Sequence, residues 1–334
     1  MDTMRTGVLL VNTGSPSEPA PVSVKRYLAQ FLMDPNVRPL PSPLWWVVLH
    51  AFILPKRQYA SAEKYRQIWT AEGSPLLATA KRLALRVESL LRERHGEEAP
   101  LVRAAMSYGE PSVGSALREL RAAGVGHLVV IPLYPQSARS TSGSVVRRVR
   151  AELGRLGWEP ELTMVESYGD EPLYLDAVAD SVRVAGFDAA VDRVVFSFHS
   201  VPRSDIEAGD TYHDQVVRTC EGFADRLGIA RDRWEFGFQS PFEDSRTWLD
   251  PFTVDWLREY AGSASGDVYL VCPGFSLDCL ETLYDVEHEL RPVFDASARA
   301  AAGGSVPPRL IYVPCLNASD AQAQLMAKLI EDRL

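Results

Sequence analysis

The strongest constraint on the fold is a regular alternation of short, continuous apolar runs with segments of helical periodicity along the 334 residues. Continuous apolar runs are typical of strands that are buried on both faces of a parallel sheet. The runs that predict strands are Gly7–Asn12, Leu101–Tyr108, His127–Tyr134, Glu161–Val165, Arg193–His199, Trp234–Gln239, Asp267–Pro273 and Arg309–Pro314. The segments that predict helices are Ser23–Met33, Pro75–His95, Pro111–Ala123, Ser142–Leu156, Leu173–Val184, Tyr212–Leu227, Pro251–Tyr260, Asp278–Phe294 and Ser319–Leu334. This order indicates an α/β fold with helices on both faces of parallel sheets.

An internal similarity favours two four-stranded halves over one eight-stranded sheet. Val8–Pro16 and Val194–Pro202 each consist of an apolar strand, a polar residue, a small-residue turn and a proline. Both turns are expected at the carboxyl ends of strands, where open α/β folds bind ligands. We expect the boundary between the halves near Glu166–Pro172.

The composition excludes several classes of protein. The chain has 35 Lys and Arg residues against 44 Asp and Glu residues, which gives a net charge of −9. Nucleic-acid binding needs clustered basic residues, so we expect no nucleic-acid partner. The chain has neither GxGxxG after its first strand nor GxxxxGK[ST], which are the usual signals of dinucleotide and P-loop phosphate sites.

The cysteines and the N-terminus predict a cytoplasmic protein. The four cysteines contain no CxxC pair, so they indicate neither a disulfide framework nor a structural zinc site. Met1–Arg5 shows no signal-peptide pattern, and no apolar run reaches the length of a membrane-spanning helix.

The segment Leu40–Pro55, LPSPLWWVVLHAFILP, allows two interpretations. By its length it is a buried helix. Its tryptophan pair and the basic residues Lys56 and Arg57 also suit a bilayer interface, where indole rings lie at the level of the headgroups. An apolar lip of this kind would also hold a flat apolar ligand.

A row of four acidic residues and one histidine, called the acidic row below, is the sharpest local signal for chemistry. Its members are spaced by three and four residues, which places them on one face of a helix: Asp278, Glu281, Asp285, His288 and Glu289. Like charges at this spacing repel each other. The row is therefore either a solvated face or a path for divalent cations or protons, and Asp278 is expected in the first helical turn, where the helix dipole favours a carboxylate.

His199 is the second signal. It ends the strand-like run Arg193–His199 and precedes Ser200-Val201-Pro202. A lone histidine is most often structural, but an imidazole at the carboxyl end of an α/β strand is well placed to act as a base near neutral pH. Aromatic residues also stand at several expected loop tips, among them Tyr134 and Trp248.

These segments together resemble the ferrochelatase family, whose members insert Fe²⁺ into a porphyrin in haem synthesis. The matching segments occur in the family's order over nearly the whole chain: Leu9–Pro16, Gly73–Leu76, Leu133–Gln136, Ser197–Pro202, Phe238–Ser240 with Trp248–Leu249, Cys272–Phe275 with Asp278–Leu283, and Leu316–Asn317. The chain is most similar to the bacterial branch that uses protoporphyrin IX.

The resemblance implies two Rossmann-like domains, each a four-stranded parallel sheet flanked by helices, with a porphyrin cleft between them. The domains are expected at residues 1–168, which include the lip segment 40–55, and at residues 169–317. A C-terminal helix within 318–334 is expected to pack back on the first domain.

The resemblance also implies roles for particular residues. His199 would take protons from the pyrrole nitrogens and Glu281 would act beside or opposite it, both in contact with the metal. Asp278, Asp285 and Glu289 would form a proton or metal path. The positions that match those lining the macrocycle are Thr13, Tyr134, Trp248 and Phe275, and those near its propionates are Arg57 and Ser74. Residues 44–54 match the lip that is associated with peripheral membrane contact at the inner face.

The chain departs from the family's pattern at three places. Some ferrochelatases hold a [2Fe–2S] cluster on a mid-chain cysteine and a cysteine-rich tail, whereas Arg139 occupies the mid-chain position here and the sequence ends at Leu334. We therefore predict no cluster and no cofactor, with Fe²⁺ as a substrate. The loop from Phe238 to Trp248 is about one residue longer than is usual, and Ser137 replaces a common tyrosine. These two departures concern ligand affinity rather than the reaction.

The expected function is insertion of Fe²⁺ into protoporphyrin IX with release of two pyrrole protons. Two alternatives stay open from the sequence. One is a chelatase that uses another tetrapyrrole, such as coproporphyrin III, or cobalt. The other is a haem-binding carrier without turnover, which would need no base at His199.

Overall fold

Two four-stranded parallel sheets organise the chain, which confirms the predicted α/β class. A computed structural model describes residues 5–263 and 266–334. In the first sheet the strand order is β2-β1-β3-β4, and in the second it is β6-β5-β7-β8. The strands are β1 (Thr6–Gly14), β2 (Leu101–Tyr108), β3 (His127–Pro132), β4 (Glu161–Met164), β5 (Arg193–His199), β6 (Trp234–Gln239), β7 (Val268–Val271) and β8 (Leu310–Val313).

Helices connect these strands and make the parallel pairing possible. In chain order they are α1 (Pro21–Leu32), α2 (Ser42–Val48), α3 (Leu54–Ile68), α4 (Pro75–His95), α5 (Val113–Ala122), α6 (Ser142–Leu156), α7 (Pro172–Val184), α8 (Arg203–Glu207), α9 (Tyr212–Leu227), α10 (Thr253–Ser263), α11 (Leu280–Asp285), α12 (Arg291–Ala301) and α13 (Asp320–Glu331). Short 3₁₀ turns lie at Gly96–Glu98 and Arg231–Arg233.

The chain divides into two compact units. Unit 1 comprises Met1–Ser167 and Asn317–Leu334, and unit 2 comprises Tyr168–Leu316. The first strand of each unit, β1 or β5, pairs on one side with the second strand and on the other with the third. The two similar segments Val8–Pro16 and Val194–Pro202 therefore occupy equivalent central positions in their sheets.

Each unit has its own apolar core on its sheet. In unit 1, Leu9 and Val11 of β1 pack in one buried cluster with residues of α5 and α6. In unit 2, Val195 of β5 packs with residues of α10 and α12. The C-terminal helix α13 packs against α4 within unit 1, where Glu331 accepts hydrogen bonds from Arg94 at 2.8 Å and contacts His95 at 2.9 Å.

Two long helices run through a proline, and in both a π-helical turn comes just before it. The π turn Leu49–Ile53 joins α2 to α3 ahead of Pro55, and the π turn Val286–Leu290 joins α11 to α12 ahead of Pro292. Proline lacks an N–H group and its ring collides with the carbonyl four residues earlier in a regular α-helix. A wider i to i+5 turn offers a physical reason why these helices continue through a proline.

Several predicted helix boundaries are wrong. The sequence suggested no helix over Leu54–Ile68, yet α3 occupies it. The predicted helix Asp278–Phe294 begins later, at Leu280, and its continuation α12 ends at Ala301. The predicted helix Pro251–Tyr260 begins at Thr253.

A buried carboxylate ties α1, β2 and α6 together in unit 1. The side chain of Asp34 is fully buried. It accepts hydrogen bonds from Tyr108 Oη at 2.8 Å, from Ser144 Oγ at 3.1 Å and from the backbone amide of Asn36 at 2.9 Å. It also forms an ion pair with Arg147. Burial, followed by the charge of Asp34, raises the pKa of Tyr108 far above its ordinary value, so this phenol stays a donor.

Asp34→Ala should destabilise unit 1 markedly, because it removes the shared acceptor and leaves Arg147 without its partner. We expect a loss of about 3 kcal/mol in the free energy of unfolding, near the lower end for a broken buried pair, since Arg147 keeps contact with water. Urea denaturation followed by circular dichroism measures this change. As a control, Glu63→Ala breaks the exposed pair with Arg66 and should cost at most about 1 kcal/mol. Equal losses for the two variants would contradict a structural role for Asp34.

Candidate active site

The central strand of unit 2 ends at His199, and local contacts orient its imidazole. His199 Nδ1 lies 2.6 Å from the carbonyl oxygen of Ser200. A carbonyl only accepts hydrogen bonds, so Nδ1 carries the proton and Nε2 holds the lone pair when the ring is neutral. The backbone carbonyl of His199 accepts a hydrogen bond from Tyr212 Oη at 2.9 Å. The ring is therefore set to accept a proton at Nε2.

Gln239 links the strand end at His199 to the acidic helix. It lies opposite His199 in the register of β5 with β6. Its Nε2 donates to the backbone carbonyl of Glu281 at 2.9 Å, and its Oε1 accepts from Ser197 Oγ. Ser197 Oγ also lies 2.7 Å from Thr253 Oγ1. These bonds fix the first turn of α11, which carries Glu281, beside the carboxyl end of β5.

Asp278 lies before the helix rather than in its first turn. Cys279 is the N-cap of α11, and the side chain of Asp278 is buried. Its Oδ1 accepts hydrogen bonds from Tyr312 Oη at 2.6 Å and from Thr282 Oγ1 at 2.9 Å. Burial, followed by the neighbouring thiols of Cys315 and Cys272, raises the pKa of Tyr312 well above its ordinary value, so the phenol stays protonated as a donor. The carboxylate of Asp278 thus holds the start of the acidic helix.

Burial is uneven along the rest of the acidic row, and its far end is exposed to solvent. Glu281 is half-buried, Asp285 is buried, and Glu289 is exposed on the π turn. Asp285 Oδ2 accepts a hydrogen bond from Ser240 Oγ at 2.7 Å. Within residues 5–263 and 266–334, no three His, Cys, Asp or Glu side chains are grouped so that they could hold a metal ion.

Two cysteines flank the site in sequence, Cys272 before it and Cys279 at the helix N-cap. Burial raises the pKa of both thiols well above the ordinary value. Cys272 packs in the core of unit 2, as predicted, whereas Cys279 is only half-buried.

The proposed ring-contacting residues of unit 2 lie on loops near the ends of its strands. Trp248 is buried, its backbone forms a β-bridge with Pro202, and its Nε1 donates to Asp244 Oδ1 at 3.2 Å. Phe275 is half-buried in the turn after β7 and packs against the core of unit 2.

Unit 1 brings two of its predicted ligand-contacting residues together. Thr13 Oγ1 on β1 lies 2.5 Å from Tyr134 Oη, which follows β3. The two strands are adjacent and parallel, so their carboxyl ends meet at one edge of the sheet. Ser74 is the buried N-cap of α4, and Arg57 is exposed on α3.

The apolar segment over residues 40–55 is amphipathic and not uniformly buried. Trp45, Leu49 and Leu54 are buried, and Trp45 Nε1 donates to the carbonyl of Leu32 at 2.6 Å. The opposite face exposes four large apolar side chains, Leu44, Trp46, Val47 and Phe52. One face is therefore buried, as the first interpretation expects, and the other face is apolar and exposed. Within residues 5–263 and 266–334, no helix has the length and hydropathy needed to cross a membrane.

Sequence reasoning missed the polar residues that support the site. Gln239, Ser240, Tyr212 and Tyr312 were not expected to orient His199 or the acidic helix. The register of the two strands would have identified Gln239, because this residue ends β6 directly opposite His199. The role of Tyr312 depends on a contact across 34 positions of the chain and has no local signal.

Comparison with solved structures shows the chelatase-like fold. SirB from Bacillus subtilis with Fe³⁺ superposes with a TM-score of 0.58 at 10% identity, covering 98% of this chain and 95% of that one. CbiX, described as the terminal enzyme for biosynthesis of sirohaem in denitrifying bacteria, superposes with a TM-score of 0.52 at 16% identity, covering 98% and 99%. At such low identity the likeness concerns the fold alone.

Comparison with curated sequences gives a closer relationship. A ferrochelatase of Bordetella pertussis is 41% identical over 335 residues, which cover 99% of this chain and 88% of that protein. A ferrochelatase of Nitrosococcus oceani is 39% identical, covering 99% and 87%. One from Actinobacillus pleuropneumoniae is 37% identical over the full length of both chains. The family model for ferrochelatase matches residues 5–334. With the site geometry at the end of β5, these matches show that the chain belongs to the ferrochelatase family.

Proposed function

We propose that this chain inserts Fe²⁺ into protoporphyrin IX, which yields protohaem and two protons. Membership of the ferrochelatase family supports metal insertion into a porphyrin as the reaction and a porphyrin and a metal ion as the substrates. The observation that carries the proposal is the pairing of an oriented base with an acidic helix. His199 presents Nε2 as an acceptor, and Gln239 holds the backbone of Glu281 beside the same strand end.

In this proposal His199 is the base of the reaction. A free-base porphyrin carries two N–H protons that leave as the metal enters, and removing them needs a base within hydrogen-bonding reach. The lone pair at Nε2 receives a pyrrole proton while Nδ1 keeps its hydrogen bond to Ser200. The imidazolium is stabilised by that same carbonyl oxygen until it passes the proton on.

Glu281 is proposed to act beside His199, and Asp285 and Glu289 to continue towards solvent. The exposed position of Glu289 at the far end of the row, beyond the buried Asp285, supports a route between Glu281 and solvent along which protons leave or Fe²⁺ arrives. Carboxylate and imidazole ligands in small number hold Fe²⁺ more weakly than a thiolate cage, which favours release of the metal into the ring. Asp278, expected on the same path, is proposed to contribute mainly by fixing the helix start.

Aromatic and small polar side chains are proposed to contact the macrocycle. A flat apolar ligand needs apolar walls and a few polar groups that fix its orientation. The proposed contacts are Thr13, Tyr134, Trp248 and Phe275, and the proposed propionate partners are Arg57 and Ser74. A site that favours a distorted ring would expose the pyrrole lone pairs to the metal. Such a site would fit the transition state better than it fits the flat substrate.

His199→Ala should lower kcat for metal insertion by about a hundred- to ten-thousand-fold, the usual range for loss of a general base. The assay is anaerobic and follows the loss of free-base fluorescence with Fe²⁺, Co²⁺ or Zn²⁺. Protoporphyrin IX and coproporphyrin III are compared as acceptors, and the proposal predicts faster turnover of protoporphyrin IX. His213→Ala is the matched control, because His213 lies in the same unit against Phe236 and Phe238.

Three outcomes would contradict the proposal in different ways. Faster turnover of coproporphyrin III, or of cobalt, would identify another chelatase specificity. Tight haem binding without turnover of either ring would identify a carrier. Equal losses in the two histidine variants would remove His199 from the chemistry.

We propose that the protein works without an iron–sulfur cluster. The chain has Arg139 where a cluster-binding family member has its mid-chain cysteine. Protein purified under anaerobic conditions should therefore contain no acid-labile sulfide and show no charge-transfer absorption in the visible range. Stoichiometric sulfide together with iron would contradict this proposal.

We propose that the exposed face of residues 44–54 contacts the membrane surface in a cytoplasmic protein. The face presents Leu44, Trp46, Val47 and Phe52, and the exposed basic residues Lys56 and Arg57 follow. Apolar side chains beside basic ones suit an interface with anionic lipid.

The double variant Trp46→Ser, Phe52→Ser should reduce cosedimentation with anionic vesicles, and added salt should weaken binding of the unmodified protein. Trp45 is left unchanged because it is buried and hydrogen-bonded to Leu32. Leu85→Ser is the control, since Leu85 is 69% exposed on α4, outside the segment. Unchanged sedimentation of the double variant would rule out this surface.

A further inference from the structure

An aromatic side chain from the loop after β6 contacts the imidazole of His199. The rings of Phe242 and His199 lie 6.0 Å apart between centroids, with an angle of 84° between their planes. This is an edge-to-face arrangement, one of the preferred geometries of aromatic pairs. Phe242 is half-buried, and its ring also lies 5.2 Å from that of Trp248.

An ion pair within the same loop fixes these aromatic rings. Asp244 accepts hydrogen bonds from Arg246 Nε at 2.9 Å and Nη2 at 2.6 Å, and from Trp248 Nε1 at 3.2 Å. The guanidinium of Arg246 lies 4.8 Å from the centre of the Trp248 ring and 5.9 Å from that of Phe242. The guanidinium of Arg246 thus lies over both rings, and the carboxylate of Asp244 binds both the guanidinium and the indole. These contacts join the four side chains in one network.

The imidazole needs such a lateral contact. Within the part of the chain that the structure describes, the hydrogen bond of its ring runs from Nδ1 to Ser200, the next residue of the chain. A bond to an adjacent residue fixes one atom of the ring but leaves the plane of the ring able to tilt. A proton acceptor must be held within narrow limits of distance and angle, because small misplacements of reacting groups cost large factors in rate.

We propose that Phe242 is a positioning residue for His199, and that the Asp244–Arg246 pair holds Phe242 in place. The inference rests on the proposed function in one respect, which is that His199 Nε2 acts as the base. Phe242 acts on the reaction through His199, by limiting the tilt of the imidazole. The aromatic ring itself receives no proton and binds no metal.

Phe242→Leu should lower kcat by roughly ten- to hundredfold, while KM for the porphyrin changes little, because the base is misaligned and substrate binding is retained. Phe242→Tyr keeps the aromatic contact and should restore most of the rate. Arg246→Met should give a partial loss in kcat, since Phe242 remains but its support is removed.

Arg231→Met is the matched control for the ion pair. The guanidinium of Arg231 lies 4.4 Å from the centre of the Trp234 ring and pairs with Glu235, so it repeats the cation, indole and carboxylate arrangement away from His199. Loss of this pair should leave kcat unchanged. It therefore separates positioning of His199 from a general effect of removing a stacked arginine.

A spectroscopic measurement tests the inference without turnover. Protein labelled with ¹⁵N at its six histidines, with His199 assigned by the His199→Ala variant, should show His199 as the Nδ1–H tautomer at pH 8. Phe242→Leu should broaden or shift the ring ¹⁵N signals of His199, because the tilt of the imidazole is no longer limited, and Phe242→Tyr should leave them unchanged. If the unmodified protein inserts no metal, the proposed function fails while this spectrum still tests the positioning.

Two results would overturn the inference. The first is an unchanged His199 spectrum in Phe242→Leu. The second is a rise in KM for the porphyrin with kcat unchanged, which would make Phe242 a ring contact and not a positioning residue.

Discussion

The parallel order of the second sheet is the constraint on which the site depends. In the order β6-β5-β7-β8, the chain passes from β5 to β6 on one side and from β7 to β8 on the other, so the direction of winding reverses between the neighbouring strands β5 and β7. Open α/β folds bind ligands at such a point, outside the carboxyl ends of the strands. His199 ends β5, and the segment that leads to Glu281 follows β7. Gln239, at the end of β6, donates a hydrogen bond from its side-chain amide to the backbone carbonyl of Glu281. Two residues that are 82 positions apart in the chain are thereby brought to one strand edge.

Sequence patterns predicted the sheets well, because a strand buried on both faces leaves an unmistakable apolar run. They also placed His199 at a strand end and Glu281 on a helix that begins near another. They failed where support comes from distant polar groups. Asp278 lies ahead of the helix and accepts a hydrogen bond from Tyr312, and no local pattern around Asp278 indicates this contact.

The two π-helical turns explain why two helices continue through a proline. Pro55 and Pro292 would each end a regular helix within one turn, and the sequence suggested no helix after Pro55. The wider turns before them let the helices continue, and one result is that the segment over residues 42–68 has a buried face and an exposed apolar face. The other is that the acidic row ends on a π turn, which carries Glu289 into solvent.

The central claim is that His199 and Glu281 act as one unit, and a double-mutant cycle tests it most directly. The measurement is kcat/KM for metal insertion by His199→Ala, Glu281→Gln and the double variant. Residues that act together show strongly non-additive losses. We predict that the double variant is little worse than the more damaged single variant. A loss equal to the product of the two single losses would contradict the account, because it would mean that the two side chains act independently.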